Sequence, residues 1–192
     1  MENIELMNTK EYLQDLLHNP YDSKERKYNG CSSTRTYYLI DKFEYRKESN
    51  LLKGDIHCYL SDNYGGPSGC VTLNIDIEAL QHGKDLHFHD LLVPTNIENN
   101  GIGKYLMQIV IEHIRSAKEL FGVTDTISLR GWLSVVDAKN WEKSLPVYQK
   151  VADLEKVKYY FEAKDNTTYT DDKSFSSYAI NNKIDGAIVY FI

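Results

Sequence analysis

Residues 86–121 read LHFHDLLVPTNIENNGIGKYLMQIVIEHIRSAKELF, and the order of residue types in them decides the fold. An apolar run with a β-leaning composition spans 86–93, and Pro94 stops it. A polar Asn/Glu loop follows. Gly101-Ile102-Gly103 then opens a helical pattern of about five turns. A strand therefore feeds a glycine turn and a helix. The first backbone N–H groups of such a helix have no partner of their own, and two glycines let another molecule approach them closely, so the turn suits an anion such as phosphate.

Working outward, the chain before this unit predicts an amphipathic helix over 4–17, where Leu6, Tyr12, Leu13, Leu16 and Leu17 recur at helical spacing until Asn19-Pro20. Residues 19–33 are polar and read as a loop. Residues 34–45, 51–60 and 70–77 are rich in β-branched and aromatic side chains and predict three antiparallel strands, with turn formers dense over 61–69. After the unit, 126–133 predicts a strand parallel to 86–93, because a helix of crossover length joins the two. Residues 138–152 predict a second helix with Pro146 in conflict inside it, and 157–163 another strand. Residues 175–180 and 187–192 flank Asp185-Gly186 and predict a terminal hairpin. So apolar a C-terminus belongs in the sheet or against a partner such as a second copy in a homodimer. Trp132 and Trp141 are read as packing residues.

The 192 residues are enough for one domain with a real core, and neither a repeat nor a linker divides them. The net charge is -6. This excludes a nucleic-acid surface, which needs clustered Lys and Arg, and makes a cationic or amine-bearing substrate the more natural partner. Cys31, Cys58 and Cys70 are odd in number and widely spaced, which indicates neither a disulfide framework nor a zinc knuckle. No run reaches membrane-spanning length, and the acidic N-terminus does not read as a signal peptide. A soluble cytoplasmic protein is expected.

Several phosphate ligands suit a strand, a glycine turn and a helix. The Walker pattern fails, since Glu98 holds its first glycine position and Tyr105 its Ser/Thr. The dinucleotide fingerprint would need glycine at Leu106 and a preceding alternation of strands and helices. The order that fits is helix, three antiparallel strands, strand, glycine turn, long helix, strand, helix, strand. With LLVPTNIENNGIGKYLMQIVIEHI, it resembles the GNAT superfamily of N-acetyltransferases over about 34–163. That family's signature is a strand ending in an apolar residue and Val, then Gln/Arg-x-x-Gly-x-Gly/Ala opening a helix. Glu98 stands where the family has Gln or Arg.

The resemblance implies an α/β (α+β) fold: a mixed, mostly antiparallel central sheet with one parallel strand pair and flanking helices. It implies one acetyltransferase-like domain over 1–192, with an N-terminal helix and loop over 1–33 and a C-terminal strand extension over 164–192. Acetyl-CoA is the implied co-substrate. Leu92 and Val93 would offer backbone groups to its pantetheine arm, and Asn99, Asn100, Gly101, Ile102, Gly103 and Lys104 would hold its pyrophosphate. The segment 144–150, SLPVYQK, resembles the one in which a Tyr lies near the acetyl-CoA sulfur, which makes Tyr148 the acid for the departing thiolate. The implied acceptor is a primary amine, on a small molecule or a peptide.

His87 and His89 are two apart on a strand and so share a face, and histidine titrates where removal of an ammonium proton requires it. They resemble the paired histidines of arylalkylamine N-acetyltransferases, and His87 also sits where histone-type members carry a glutamate base. Two rival readings stay open. One is a catalytically silent acyl-CoA-binding module, favoured by Glu98 and Pro146. The other is a metal hydrolase on His87 and His89, since His-x-His-Asp can ligate zinc. Asp90 is read on a regular strand, opposite to His89.

Overall fold

The computed structural model describes residues 8–20, 24–31, 36–60, 69–93 and 101–192, the side chains of 24–31, 36, 37 and 60 excepted. In chain order the elements are α1 (Thr9–His18), β1 (Lys24–Cys31), β2 (Thr36–Arg46), β3 (Leu51–Leu60), β4 (Gly69–Asp76), α2 (Ile77–Gln81), β5 (Leu86–Leu92), α3 (Ile102–Leu120), β6 (Ser128–Leu133), α4 (Trp141–Glu155), β7 (Lys158–Ala163), β8 (Thr168–Tyr169), α5 (Asp172–Asn182) and β9 (Gly186–Phe191). The nine strands form one sheet in the order β1-β2-β3-β4-β5-β6-β9-β7-β8. Among the described residues only β5 and β6 run parallel; every other neighbouring pair is antiparallel. The expected mixed, mostly antiparallel sheet with one parallel pair is what forms.

One register row shows why the buried face closes. Phe43, Gly54, Leu73, Phe88, Gly131, Ile188 and Phe161 lie opposite one another across seven strands. A Cβ on Gly54 would stand 2.2 Å from the Phe43 ring, and one on Gly131 would stand 2.0 Å from the Phe88 ring. Each glycine is thus the space into which a neighbouring aromatic ring folds. Helices α1, α3, α4 and α5 pack side by side in that order on this face. The alternate residues Asp55, Thr72, His87, His89, Arg130, Trp132 and Glu162 point to the other face. Replacing Gly131 with Ala should lower stability by about 1–3 kcal/mol through overpacking, read as a fall in the urea midpoint at constant m. A variant as stable as the parent would show that Phe88 can move away freely.

Beneath α3 lies a fully buried contact between a histidine and a carboxylate. His113 Nε2 is 2.9 Å from Asp41 Oδ2, both side chains 0% exposed, and the His113 ring stacks on Phe43 at 4.9 Å. His113 Nδ1 lies 2.8 Å from the Ile109 carbonyl, as its donor. The pair ties the long helix to β2.

Three expectations are corrected. Residues within the predicted N-terminal loop form β1, an edge strand paired along its length with β2. Its sequence, KERKYNGC, lacks apolar alternation, as charged edge strands do. The predicted hairpin arm 175–180 is helical: it lies in α5, where the Asp171 carboxylate accepts from Ser174 N at 2.8 Å and Phe175 and Ala179 are buried one turn apart. Its partner β9 is a strand, but it inserts between β6 and β7. Finally, α4 runs through Pro146. That residue lies on the exposed side, where water can take the carbonyl its missing N–H leaves unpaired.

Among the described residues no helix is long and apolar enough to cross a membrane.

Candidate active site

The site begins with a break in the ladder. Strands β4 and β5 pair through Thr72 and His89, and next through Cys70 and Leu92, so Asp90 and Leu91 together oppose Val71. Asp90 adopts φ 53, left-handed backbone that Asp tolerates better than most residues. Such a bulge bends the strand and re-aims its side chains. Asp90 is therefore not on regular strand, contrary to expectation. The bend has a consequence on the other edge. The parallel pair holds only from Leu86, His87 and Phe88 to Leu129, Arg130 and Gly131, and beyond it β5 and β6 part. The β6-facing edge of β5 past Phe88 has no strand partner among the described residues, which leaves backbone groups there free to bind.

Two cavities open at this parting, and Leu91, Leu92 and Tyr148 wall both. The first, about 460 Å³, is lined by Leu91 to Val93, by Gly101, Ile102, Gly103 and Lys104 at the start of α3, and by Asn140, Lys143, Ser144, Val147, Tyr148 and Lys150 around α4. Gly101 caps α3 with φ 77 and accepts from Tyr105 N at 3.1 Å. The left-handed φ accounts for glycine here. The N–H groups of Ile102, Gly103 and Lys104 belong to the unpaired first turn, and among the described residues all the charged side chains on the lining are lysines. A phosphate-bearing ligand fits that field. Asn99 and Asn100, together with Glu98, lie outside the described residues.

The second cavity, about 740 Å³, is walled by His87, His89, Asp90, Arg130, Trp132, Asp137, Tyr148, Glu162 and Lys164 among others. The rings of His87 and His89 are near-parallel with centroids 6.3 Å apart. Desolvation against the cavity wall, joined by the charges of His89 and Arg130 and opposed by Asp85, holds His87 below the ordinary histidine range. Arg130 Nε lies 2.5 Å from Asp85 Oδ2, and its Nη1 lies 3.0 Å from Glu162 Oε1.

Tyr148 sits where the cavities meet. Trp141, Leu145, Tyr148 and Ala152 form the buried stripe of α4, and this turns Tyr148 toward the sheet, 7% exposed, its ring 6.3 Å from that of Phe88. Its backbone carbonyl accepts from Tyr190 Oη at 2.9 Å. Burial pushes its phenol well above the ordinary range, so the hydroxyl keeps its proton at neutral pH.

The structure thus brings Tyr148, His87, His89, Leu92, Val93, Gly101, Ile102, Gly103 and Lys104 around one parting of strands. Asp90 and Trp132, expected from the sequence in other roles, join them, and so do Arg130, Asp137 and Glu162, which were not singled out. Trp132 is 62% exposed, against the expectation of a packing role, whereas Trp141 is 3% exposed and packs as expected. The signal for Trp132 was the alternation in SLRGWL: with Leu129 and Leu133 inward, Arg130 and Trp132 must face outward with His87. Among the described residues no group of three or more His, Cys, Asp or Glu side chains is placed to hold a metal ion.

A family model described as the acetyltransferase (GNAT) family matches residues 17–130, more than half of the chain. The match takes in β5 and the start of α3 and ends before α4. Searches of curated proteins and of solved structures gave no significant match.

Proposed function

The chain belongs to the GNAT acetyltransferase family, and on that footing we propose that it is an acetyl-CoA-dependent N-acetyltransferase acting on a primary amine by direct attack in a ternary complex. One observation carries the proposal: a lysine-lined cavity at a helix N-terminus and a histidine-bearing cavity meet at one buried, protonated tyrosine.

Acetyl-CoA, when bound, supplies an acyl group activated as a thioester. The first-turn amides of α3, with Lys104, Lys143 and Lys150, bind its pyrophosphate. The free edge of β5 at Leu92 and Val93 takes the pantetheine arm and offers an N–H to the thioester carbonyl. An acceptor arrives as an ammonium ion and attacks only after losing a proton, and His87, with His89 beside it, takes that proton. The new N–C bond forms as the C–S bond breaks, and Tyr148 Oη protonates the departing sulfur. We place the protein in the cytoplasm, in keeping with the free thiols of Cys58 and Cys70.

The test is release of CoA thiol from acetyl-CoA across a panel of primary amines, paired with calorimetric titration of acetyl-CoA. Binding together with amine-dependent release is expected. Binding with no release would make the chain a silent acyl-CoA module, and no binding at millimolar ligand would remove the proposal.

The pH profile gives a second check. A base works deprotonated, so kcat/KM should rise with pH through the pKa of His87, which lies below the 6.5 of an ordinary histidine. Tyr148 adds no alkaline limb near neutrality, because its proton is lost only far above that range. In His87→Gln the acid limb should vanish or move; a limb left in place would show that another group takes the proton.

A further inference from the structure

We infer that the acceptor is a diamine-like molecule, in which a second cationic group lies on Trp132 and faces Asp90 and Asp137 while the reactive amine lies at His87 and Tyr148. This inference rests on the acetyltransferase reading of the same parting of strands.

The larger cavity has more acid than base. Arg130 is engaged by Asp85 and Glu162 together, so this trio carries net negative charge. His87 is held toward its neutral form. Asp90 and Asp137 add two exposed carboxylates, and among the described residues neither makes a side-chain ion pair or hydrogen bond. Lys164 is the opposing cation on the lining. A ligand that replaces water here is therefore favoured if it is more than singly positive.

Trp132 narrows the chemistry. Among the described residues it is the larger of two exposed aromatic or aliphatic residues on this lining, the other being Leu92, and at 62% exposure its indole is open to the cavity contents. The face of tryptophan is the best aromatic partner for an ammonium group. The bulge that gives Asp90 its left-handed φ also breaks the alternation of a regular strand and puts Asp90 on the wall of this cavity. A cavity of about 740 Å³ has room for both ends of such an acceptor.

Intrinsic fluorescence provides a readout independent of turnover. Trp141 is buried, so a ligand-induced change belongs to Trp132, and Trp132→Phe should abolish it. The protein is titrated at neutral pH, with and without acetyl-CoA, with 1,4-diaminobutane, n-butylamine and 4-aminobutanoate. The diamine should bind at least about tenfold more tightly than either of the others, and Asp137→Asn should reduce that ratio several-fold. Equal affinities, a preference for the amino acid, or no binding of any of the three would overturn the inference. Thiol release with butylamine and no diamine preference would remove this inference and leave the acetyltransferase reading standing. Selective diamine binding without thiol release would overturn the acetyltransferase reading and leave a diamine-binding site that is not an acceptor site.

Discussion

In Tyr148→Phe, kcat should fall by about 10²-fold or more while the affinity for acetyl-CoA stays within about twofold. The substitution removes one oxygen and keeps the ring, so the contact with Phe88 remains and Tyr190 Oη still donates to the backbone carbonyl of residue 148. The thermal midpoint should therefore hardly move. What disappears is the proton. A phenol in water is a weak acid that solvent can replace, but this one lies at the junction of two cavities, with burial disfavouring its anion. It holds its proton at neutral pH, and on the proposed reading the thioester sulfur leaves beside it. Steady-state kcat and KM, with a titration of acetyl-CoA, separate the possibilities. An unchanged kcat would strip Tyr148 of the acid role, and a large loss of affinity would make it a binding residue instead. Because the family match ends at Arg130, this variant tests a role that lies outside the matched residues.

The strand, the glycine turn and the long helix were legible because each carries its own local physics: Pro94 cannot continue a strand, Gly101 supplies a backbone other residues resist, and 102–120 repeat apolar residues at 3.6. The bulge was not. Nothing in His89-Asp90-Leu91 separates it from plain alternation, since Asp enters left-handed backbone without the glycine that usually announces it. Because the parting of β5 and β6 follows the bulge, the acceptor side of the site stayed hidden with it. Glu162 shows a second limit. It joins Arg130 only because β9 inserts between β6 and β7, a pairing of distant segments that no local pattern states. Edge strand β1 escaped for a third reason. Paired with β2 alone among the described residues, it has no need of the alternation that reveals inner strands.

Gly101→Glu should weaken acetyl-CoA binding by at least about 100-fold in a calorimetric titration, the equivalent of about 2.7 kcal/mol. Two effects add, and a companion variant divides them. At φ 77 any L side chain is strained by about 1–2 kcal/mol, and Gly101→Ala carries that strain alone. Its Cβ has room, the nearest atoms being those of Tyr105 at 3.8 Å and Lys104 at 4.0 Å, so Ala should cause a moderate loss through a shifted first turn of α3. Glu adds a carboxylate beside the unpaired N–H groups of that turn, where it competes for the same positive field of amides and lysines that the pyrophosphate uses. High salt should narrow the gap between Ala and Glu, because screening acts on the charge and not on the backbone. Equal losses in the two variants would mean that the turn serves by shape alone. A Glu variant that binds within about threefold of the parent would mean that the phosphates lie elsewhere, and the lysine-lined cavity would then need another ligand.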